Sequence, residues 1–171
     1  MEVRLLVELR DEAVGVGPDG VQLSLTQRPR HGGLRIVRVH EIHLKTDRKT
    51  QLVNITELVQ AALTDANGAA AALVYVPHTT AGVTINEHAD PLVAEDLENA
   101  LQKVVDDSWD WKHTEDPDGP NAPSHVRAAL MNSQILVPLD HGKLALGQWQ
   151  GIFFCEFDGP RDRKVYVTAL Q

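Results

Sequence analysis

The sequence predicts an α+β fold with a largely antiparallel sheet and two or three helices. Two observations support this class. Short strand-like runs alternate with helical apolar spacing in the middle of the chain, and four strand-like runs separated by turn residues follow at its end. Strands that succeed one another in this way favour antiparallel pairing over a doubly wound parallel sheet.

The first 33 residues predict an accessory hairpin followed by a linker. Residues 3–9 and 21–26 are rich in strand-forming residues, and a Gly-Pro-Asp-Gly turn signal lies between them. Residues 28–33 are basic and contain proline and glycine, which is typical of a linker. We therefore expect a boundary between an accessory segment, residues 1–33, and a main domain, residues 34–171.

The main domain begins with two predicted strands and two predicted helices. Residues 34–44 alternate like a strand, and residues 71–76 form a continuous apolar run that predicts a buried strand. Asn54 and Glu57 have the spacing of a capping box, which predicts a helix after them. Asp90, followed by a proline, predicts the start of a second helix.

The remainder of the main domain predicts a long loop, a short helix and a β-meander. Residues 106–123 form a polar segment with several prolines, and such long loops are typically functional or mobile. Residues 124–131 have the pattern of a short helix. The meander is predicted from four strands joined by turn residues, at 135–139, 143–147, 151–157 and 164–170.

Composition and charge exclude several classes of protein. The chain of 171 residues has a net charge of −8, so it lacks the basic excess that nucleic acids or anionic membranes attract. No apolar run is long enough to span a bilayer. The single cysteine, Cys155, excludes an intramolecular disulfide. We therefore expect a soluble, cytoplasmic protein that binds neither nucleic acid nor membrane.

Three of the eight histidines lie where functional groups often occur. His78 follows a predicted buried strand, His113 lies in the long loop, and His125 begins the helix after it. If these imidazoles converge, they could hold Zn²⁺ or another divalent metal with one open coordination position. They could equally act as general acid and base, or donate hydrogen bonds to an anion.

Two polar pairs follow the same predicted strand. The hydroxyls of Thr79 and Thr80 suit the recognition of a phosphate or carboxylate, although the pair could also form a simple turn. Asn86 and Glu87 could supply an amide and a general base, or could merely precede the second helix.

The predicted strand at 151–157 carries further candidates. Trp149, just before it, could stack on a ligand or belong to the core. Cys155 lies among phenylalanines and is expected to be a buried, inert thiol. Glu156 must point to the opposite face from Cys155, where it is exposed to solvent or belongs to a site.

Several of these motifs together resemble the YjbQ family, also called secondary thiamine-phosphate synthase. The longest is Val-Pro-His-Thr-Thr-Ala-Gly-Val-Thr-Ile-Asn-Glu at residues 76–87. The resemblance extends in order over residues 34–171, and residues 1–33 have no counterpart. The other matching segments are 113–115, 122–130, 142–152 and 156–161.

The resemblance implies a homotrimeric α+β protein with a mostly antiparallel, β-sandwich-like core and sites near the subunit boundaries. It also implies a weak thiamine phosphate synthase activity. In that reaction a thiazole phosphate displaces pyrophosphate from hydroxymethylpyrimidine diphosphate. Arg127, Lys112, the two threonines and a metal could stabilise the leaving anion, and Trp149 could stack on the pyrimidine. We therefore expect catalytic roles for His78, Glu87, His113 and His125, metal ligation by the three histidines, and ligand binding by Thr79, Thr80, Asn86, Arg127, Trp149 and Glu156.

The sequence thus favours an enzyme that acts on a phosphorylated small molecule. Two alternatives remain open at this point. One is a zinc-dependent, hydrolase-like enzyme in which Glu87 or Glu156 serves as the base. The other is a trimeric protein that binds a small ligand without turnover.

Overall fold

A computed structural model of the chain describes residues 15–16, 22–32, 35–63, 66–117 and 119–171, with side chains from Arg38 onward. The described strands are β1 (Gly15–Val16), β2 (Gln22–Gly32), β3 (Arg35–Lys45), β4 (Gln51–Asn54), β5 (Ala71–Tyr75), β6 (Ala81–Glu87), β7 (Gln134–Asp140), β8 (Lys143–Leu144), β9 (Gln150–Glu156) and β10 (Asp162–Leu170). The described helices are α1 (Thr56–Ala61), α2 (Pro91–Val104) and α3 (Ala122–Leu130).

The strands form two antiparallel sheets. The larger sheet has the order β1-β2-β3-β10-β5-β7-β8, so β10 lies at its centre between β3 and β5. The smaller sheet has the order β4-β9-β6. Antiparallel sheets with three helices confirm the predicted α+β class.

The main core lies between the two sheets. Ile42, Val74 and Val167 of the larger sheet belong to the same buried cluster as Val83 and Phe154 of the smaller one. Helix α1 adds further buried side chains to this cluster. The two packed sheets therefore form the sandwich-like core that the family resemblance implies.

A second apolar layer lies on the other side of the smaller sheet. Phe153, Cys155 and Phe157 share a buried cluster with Leu101 of α2 and Ala128 of α3. Because neighbouring side chains of a strand point to opposite faces, β9 is covered by the larger sheet on one face and by helices on the other. This double coverage explains why each residue of β9 after its first is buried.

The predicted helix starts are confirmed for α2 and modified for α1. Asp90 caps α2, since its Oδ1 atom accepts a hydrogen bond from the Leu92 amide at 2.9 Å. Asn54 Oδ1 accepts instead from the Thr56 amide at 3.0 Å and the Thr56 hydroxyl at 2.6 Å. Asn54 therefore forms a turn ahead of α1, and no capping box closes with Glu57.

The predicted meander is wrong. Of the four predicted strands, only β7 and β8 are neighbours, whereas β9 crosses to the smaller sheet and β10 returns to the middle of the larger one. Apolar runs of similar length fit either sheet, so turn signals alone do not reveal these crossings. The sequence prediction also missed β6, because the threonine pair at residues 79–80, just before this strand, suggested a turn.

The N-terminal expectations are tested only in part. Residues 28–32, expected in a linker, continue β2 and pair with β3. The predicted strand at residues 3–9 lies outside the described residues, and the boundary after residue 33 stays a prediction. No helix in the described part of the chain is both long and apolar enough to cross a membrane.

Candidate functional site

A polar cleft lies where the loop before β6, the start of α3 and the turn before β10 meet. Its volume is about 360 Å³. We call it the arginine cleft because two arginines line it together with polar side chains from all three segments. The lining residues are Thr79, Thr80, Asp116, Pro117, Asn121, His125, Asp158, Arg161 and Arg163.

A buried ion pair joins the two sheets at the base of the cleft. Arg163 of β10 donates to the Glu156 carboxylate of β9 from Nε at 2.7 Å and from Nη2 at 2.6 Å. The same Nη2 atom donates to the Thr80 hydroxyl at 3.0 Å. Glu156 thus holds a guanidinium and a threonine in fixed positions on the cleft wall.

Glu156 itself is fully occupied by protein donors. Besides Arg163, it accepts hydrogen bonds from the Thr46 hydroxyl at 3.0 Å and from the amides of Phe157 at 3.1 Å and Asp158 at 2.9 Å. Glu156 is completely buried and does not line the cleft. It therefore positions Arg163, and it is poorly placed to act as a general base.

A second ion pair forms the rim of the cleft. Arg161 donates to Asp158 from Nη2 to Oδ2 at 2.8 Å and from Nε to the main-chain oxygen at 2.7 Å. Asn121 Nδ2 donates to the same Oδ2 atom at 3.1 Å. The turn that joins Asp158 to Arg161 requires glycine at position 159, because a Cβ on Gly159 would lie 2.3 Å from the Arg48 carbonyl oxygen. Arg161 is therefore held in one orientation by its own turn.

Two of the predicted histidines come together beside the cleft. His125 of α3 lines it, and the ring of His113 meets the His125 ring edge-on with centroids 5.4 Å apart. Two neighbouring imidazoles can accept and donate protons near neutral pH. His125 lines the cleft and His113 does not, and a general acid or base role for either histidine stays a prediction.

The third histidine has a different role. His78 Nε2 accepts a hydrogen bond from the Lys164 amide at 2.9 Å. Burial, with a smaller contribution from Arg163, lowers the pKa of His78, so the neutral ring is favoured. The lone pair on Nε2 is occupied, and this nitrogen is not available to a metal.

The metal expectation can be tested against this geometry. Among the described residues, no three His, Cys, Asp or Glu side chains are grouped so that they could hold a metal ion. The three-histidine set does not fit a metal centre within this part of one chain. Zinc ligation by His78, His113 and His125 stays a prediction.

Three other predicted site residues lie at the far end of β6. Asn86 and Glu87 end this strand, seven residues long, and Trp149 lies beside them in the turn before β9. At ~3.3 Å per residue this end is about 20 Å from Thr80. Asn86 Oδ1 accepts from the Glu87 amide at 2.8 Å, and Trp149 is 58% exposed. The structure therefore does not bring these residues to the cleft.

Arg127, predicted to bind a ligand, anchors a loop instead. It is 1% exposed, and its Nη2 atom donates to the Val105 carbonyl at 2.6 Å and to Asp107 Oδ1 at 2.5 Å. Residues 105–107 begin the loop that carries His113, together with the exposed Lys112. Arg127 of α3 thereby ties the start of this loop to the helix that carries His125.

Sequence reasoning missed most of the cleft. Asp116, Asn121, Asp158, Arg161 and Arg163 were not selected, although Asp158 and Arg161 lie in a motif that carried the family resemblance. The available signal was a charge within an apolar strand. Glu156 lies inside a run that otherwise predicts a buried strand, and a buried charge is stable only when it is paired. Arg163 gave no such signal, because it lies in a charged stretch just before the predicted strand at 164–170.

Comparisons with known proteins agree with one another. A family model described as UPF0047 protein YjbQ-like matches residues 40–171. A UPF0047 protein of Methanocaldococcus jannaschii is 40% identical over 138 residues, which cover 80% of this chain and 97% of that protein. The UPF0047 protein YugU of Bacillus subtilis is 40% identical over 132 residues, or 75% of this chain and 96% of YugU.

Solved structures match over the same region. A YjbQ/UPF0047 family protein from Clostridium acetobutylicum, described as uncharacterised, is 46% identical with a TM-score of 0.71 and covers 76% of this chain and 98% of its own. A protein of unknown function from Sulfolobus solfataricus is 32% identical with a TM-score of 0.72, over 78% of this chain and 96% of its own.

Proposed function

This chain belongs to the YjbQ-like UPF0047 family, and we propose that it is an enzyme acting on a phosphorylated small molecule held in the arginine cleft. The observation that carries the proposal is the pairing of each cleft arginine with a carboxylate that fixes its orientation. Arg161 is held by Asp158, and Arg163 is held by Glu156. Donors that are oriented before binding lose little entropy when they meet an anion.

The donors in the cleft suit a phosphate group. Planar guanidinium groups match the geometry of phosphate oxygens, and the hydroxyls of Thr79 and Thr80 are further hydrogen-bond donors. The cleft also lies at the N-terminal end of α3, where the helix dipole favours negative charge. Asp116 and Asp158 limit the positive charge, so the anion is recognised by directed hydrogen bonds more than by net attraction.

The chemistry that we propose uses His125, whose ring is in edge-on contact with His113, as a proton donor. In its specific form, a ring nitrogen of a thiazole phosphate forms a bond to the methylene carbon of hydroxymethylpyrimidine diphosphate. The carbon–oxygen bond to pyrophosphate breaks, and the electron pair leaves with pyrophosphate. Arg161 and Arg163 would stabilise the charge on the leaving group, and His125 would donate a proton to it.

The proposal is tested by calorimetric titration with inorganic pyrophosphate, comparing Arg161→Gln with Arg48→Gln. Arg48 forms a similar ion pair with Glu98, and neither of these two residues lines the cleft. Hydrogen bonds to charged groups contribute about 1.5–3 kcal/mol, so Arg161→Gln should weaken binding roughly 10- to 100-fold. Arg48→Gln should leave it unchanged.

Two results would contradict the proposal. One is the absence of pyrophosphate binding by the unmodified protein at millimolar concentration. The other is an equal effect of the two arginine substitutions, which would mean that any binding occurs outside the cleft. Pyrophosphate release from hydroxymethylpyrimidine diphosphate in the presence of thiazole phosphate, lost in His125→Ala, then tests the specific reaction.

A further inference from the structure

The arginine cleft contains one buried acceptor that no described residue satisfies. Asn121 is 4% exposed and lines the cleft, and its Oδ1 atom is buried without a hydrogen-bond partner among the described residues. The neighbouring Asp158 carboxylate fixes the orientation of the amide, because only the Nδ2 group can donate to it. Oδ1 is therefore the atom left over for a donor.

The position of Asn121 gives no structural reason for this arrangement. It is the N-cap residue of α3, yet its side chain accepts no capping hydrogen bond. Leaving a buried acceptor unpaired is unfavourable, and an exception in a well-packed protein calls for a partner that binds there. A ligand that fills the cleft with an apolar group against Oδ1 would retain that penalty.

We propose that Asn121 is a specificity-determining residue that selects phosphorylated ligands carrying an N–H or O–H donor, and this inference rests on the proposed function. The two ends of such a ligand would match the two kinds of group in the cleft. Its phosphate would meet the donors of Arg161, Arg163 and the threonines. Its amino or hydroxyl group would donate to Asn121 Oδ1.

The experiment compares two phosphate esters of the same carbon number in calorimetric titrations. Glycerol phosphate carries hydroxyl donors, and propyl phosphate carries none. The unmodified protein should bind glycerol phosphate about tenfold more tightly, because bound propyl phosphate leaves the buried acceptor unpaired. Asn121→Ala should abolish this preference, so that the two esters bind the variant with affinities within about twofold of each other.

Ser124→Ala is the matched control. Ser124 lies on the same helix, is completely buried and donates to the Phe157 carbonyl at 2.6 Å, but it does not line the cleft. This variant should keep the preference for glycerol phosphate. If Asn121→Ala fails to fold, the side-chain amide resonances of Asn121 in the unmodified protein give a second measurement, and glycerol phosphate should shift them more than propyl phosphate does.

The outcomes separate the two proposals. If neither ester binds, both the proposed function and this inference are overturned. If both esters bind with equal affinity, or if the preference survives in Asn121→Ala, the phosphate cleft stands and the role of Asn121 is overturned. Equal shifts of the Asn121 amide with the two esters would overturn it as well.

Discussion

Replacing Glu156 with alanine should destabilise the protein strongly, because it leaves the Arg163 guanidinium buried without a counter-charge. The pair joins β9 of the smaller sheet to β10 of the larger sheet, and the side chains of Glu156 and Arg163 are 0% and 7% exposed. The substitution also removes the acceptor for the Thr46 hydroxyl and for the amides of Phe157 and Asp158.

The size of the effect follows from this burial. Removing one partner of a buried ion pair typically costs about 3–5 kcal/mol. For a chain of this length each kcal/mol lowers the melting temperature by about 2–4 °C, so the expected decrease is about 6–20 °C. Glu156→Ala combined with Arg163→Met should be more stable than Glu156→Ala alone, because no unpaired charge is then buried.

Glu98→Ala is a matched comparison for this measurement. Glu98 is also buried and also binds an arginine through two hydrogen bonds, but the side chain of that partner, Arg48, is 58% exposed. Water can solvate Arg48 after the substitution, so the free energy of unfolding should fall by only about 1–2 kcal/mol. Urea denaturation of the three variants and of the unmodified protein measures these differences. A decrease for Glu156→Ala no larger than that for Glu98→Ala would refute the reasoning.

Four further predictions follow from the structure and the family resemblance. Because burial lowers the pKa of folded His78 below its usual 6.5, the unfolded chain binds the extra proton, and stability should fall as pH decreases below 6.5. His78→Gln should flatten this part of the curve of urea midpoint against pH, and an unchanged curve would count against it. Burial raises the pKa of the Cys155 thiol, so a thiol reagent should label it only in denaturant. Light scattering should report a trimer, three times the chain mass of 18.8 kDa, and the mass of a single chain would contradict this expectation. Deleting residues 1–33 should preserve pyrophosphate binding, because the cleft residues all lie at or after Thr79, and a folded truncation that binds none would show otherwise.

Local patterns predicted much of the secondary structure. The run at 71–76 corresponds to β5, and Asp90 with the proline after it marks the start of α2. These predictions succeed because a buried strand and a helix cap depend on residues only a few positions apart. The predicted strand order was wrong because β9 and β10 have similar apolar content, and only long-range packing decides which sheet each strand joins.

The candidate site was predicted only where a motif lies beside it in the sequence. Thr79 and Thr80 were recognised from the strand before them, and His113 and His125 from their positions in a loop and at a helix start. Asn121 was missed because an asparagine before a helix ordinarily serves as a cap, and only the three-dimensional structure shows its oxygen buried and unpaired. Arg163 was missed because its partner, Glu156, lies on a different strand.

The central position of β10 affects the order in which the protein can mature on the ribosome. β10 is the last described strand to be synthesised, yet it separates β3 from β5 in the larger sheet. Until it emerges, both neighbours present open edges, which are prone to pairing with other chains. Arg163 also arrives with this strand, so a nascent chain cannot complete the cleft before β10 leaves the exit tunnel.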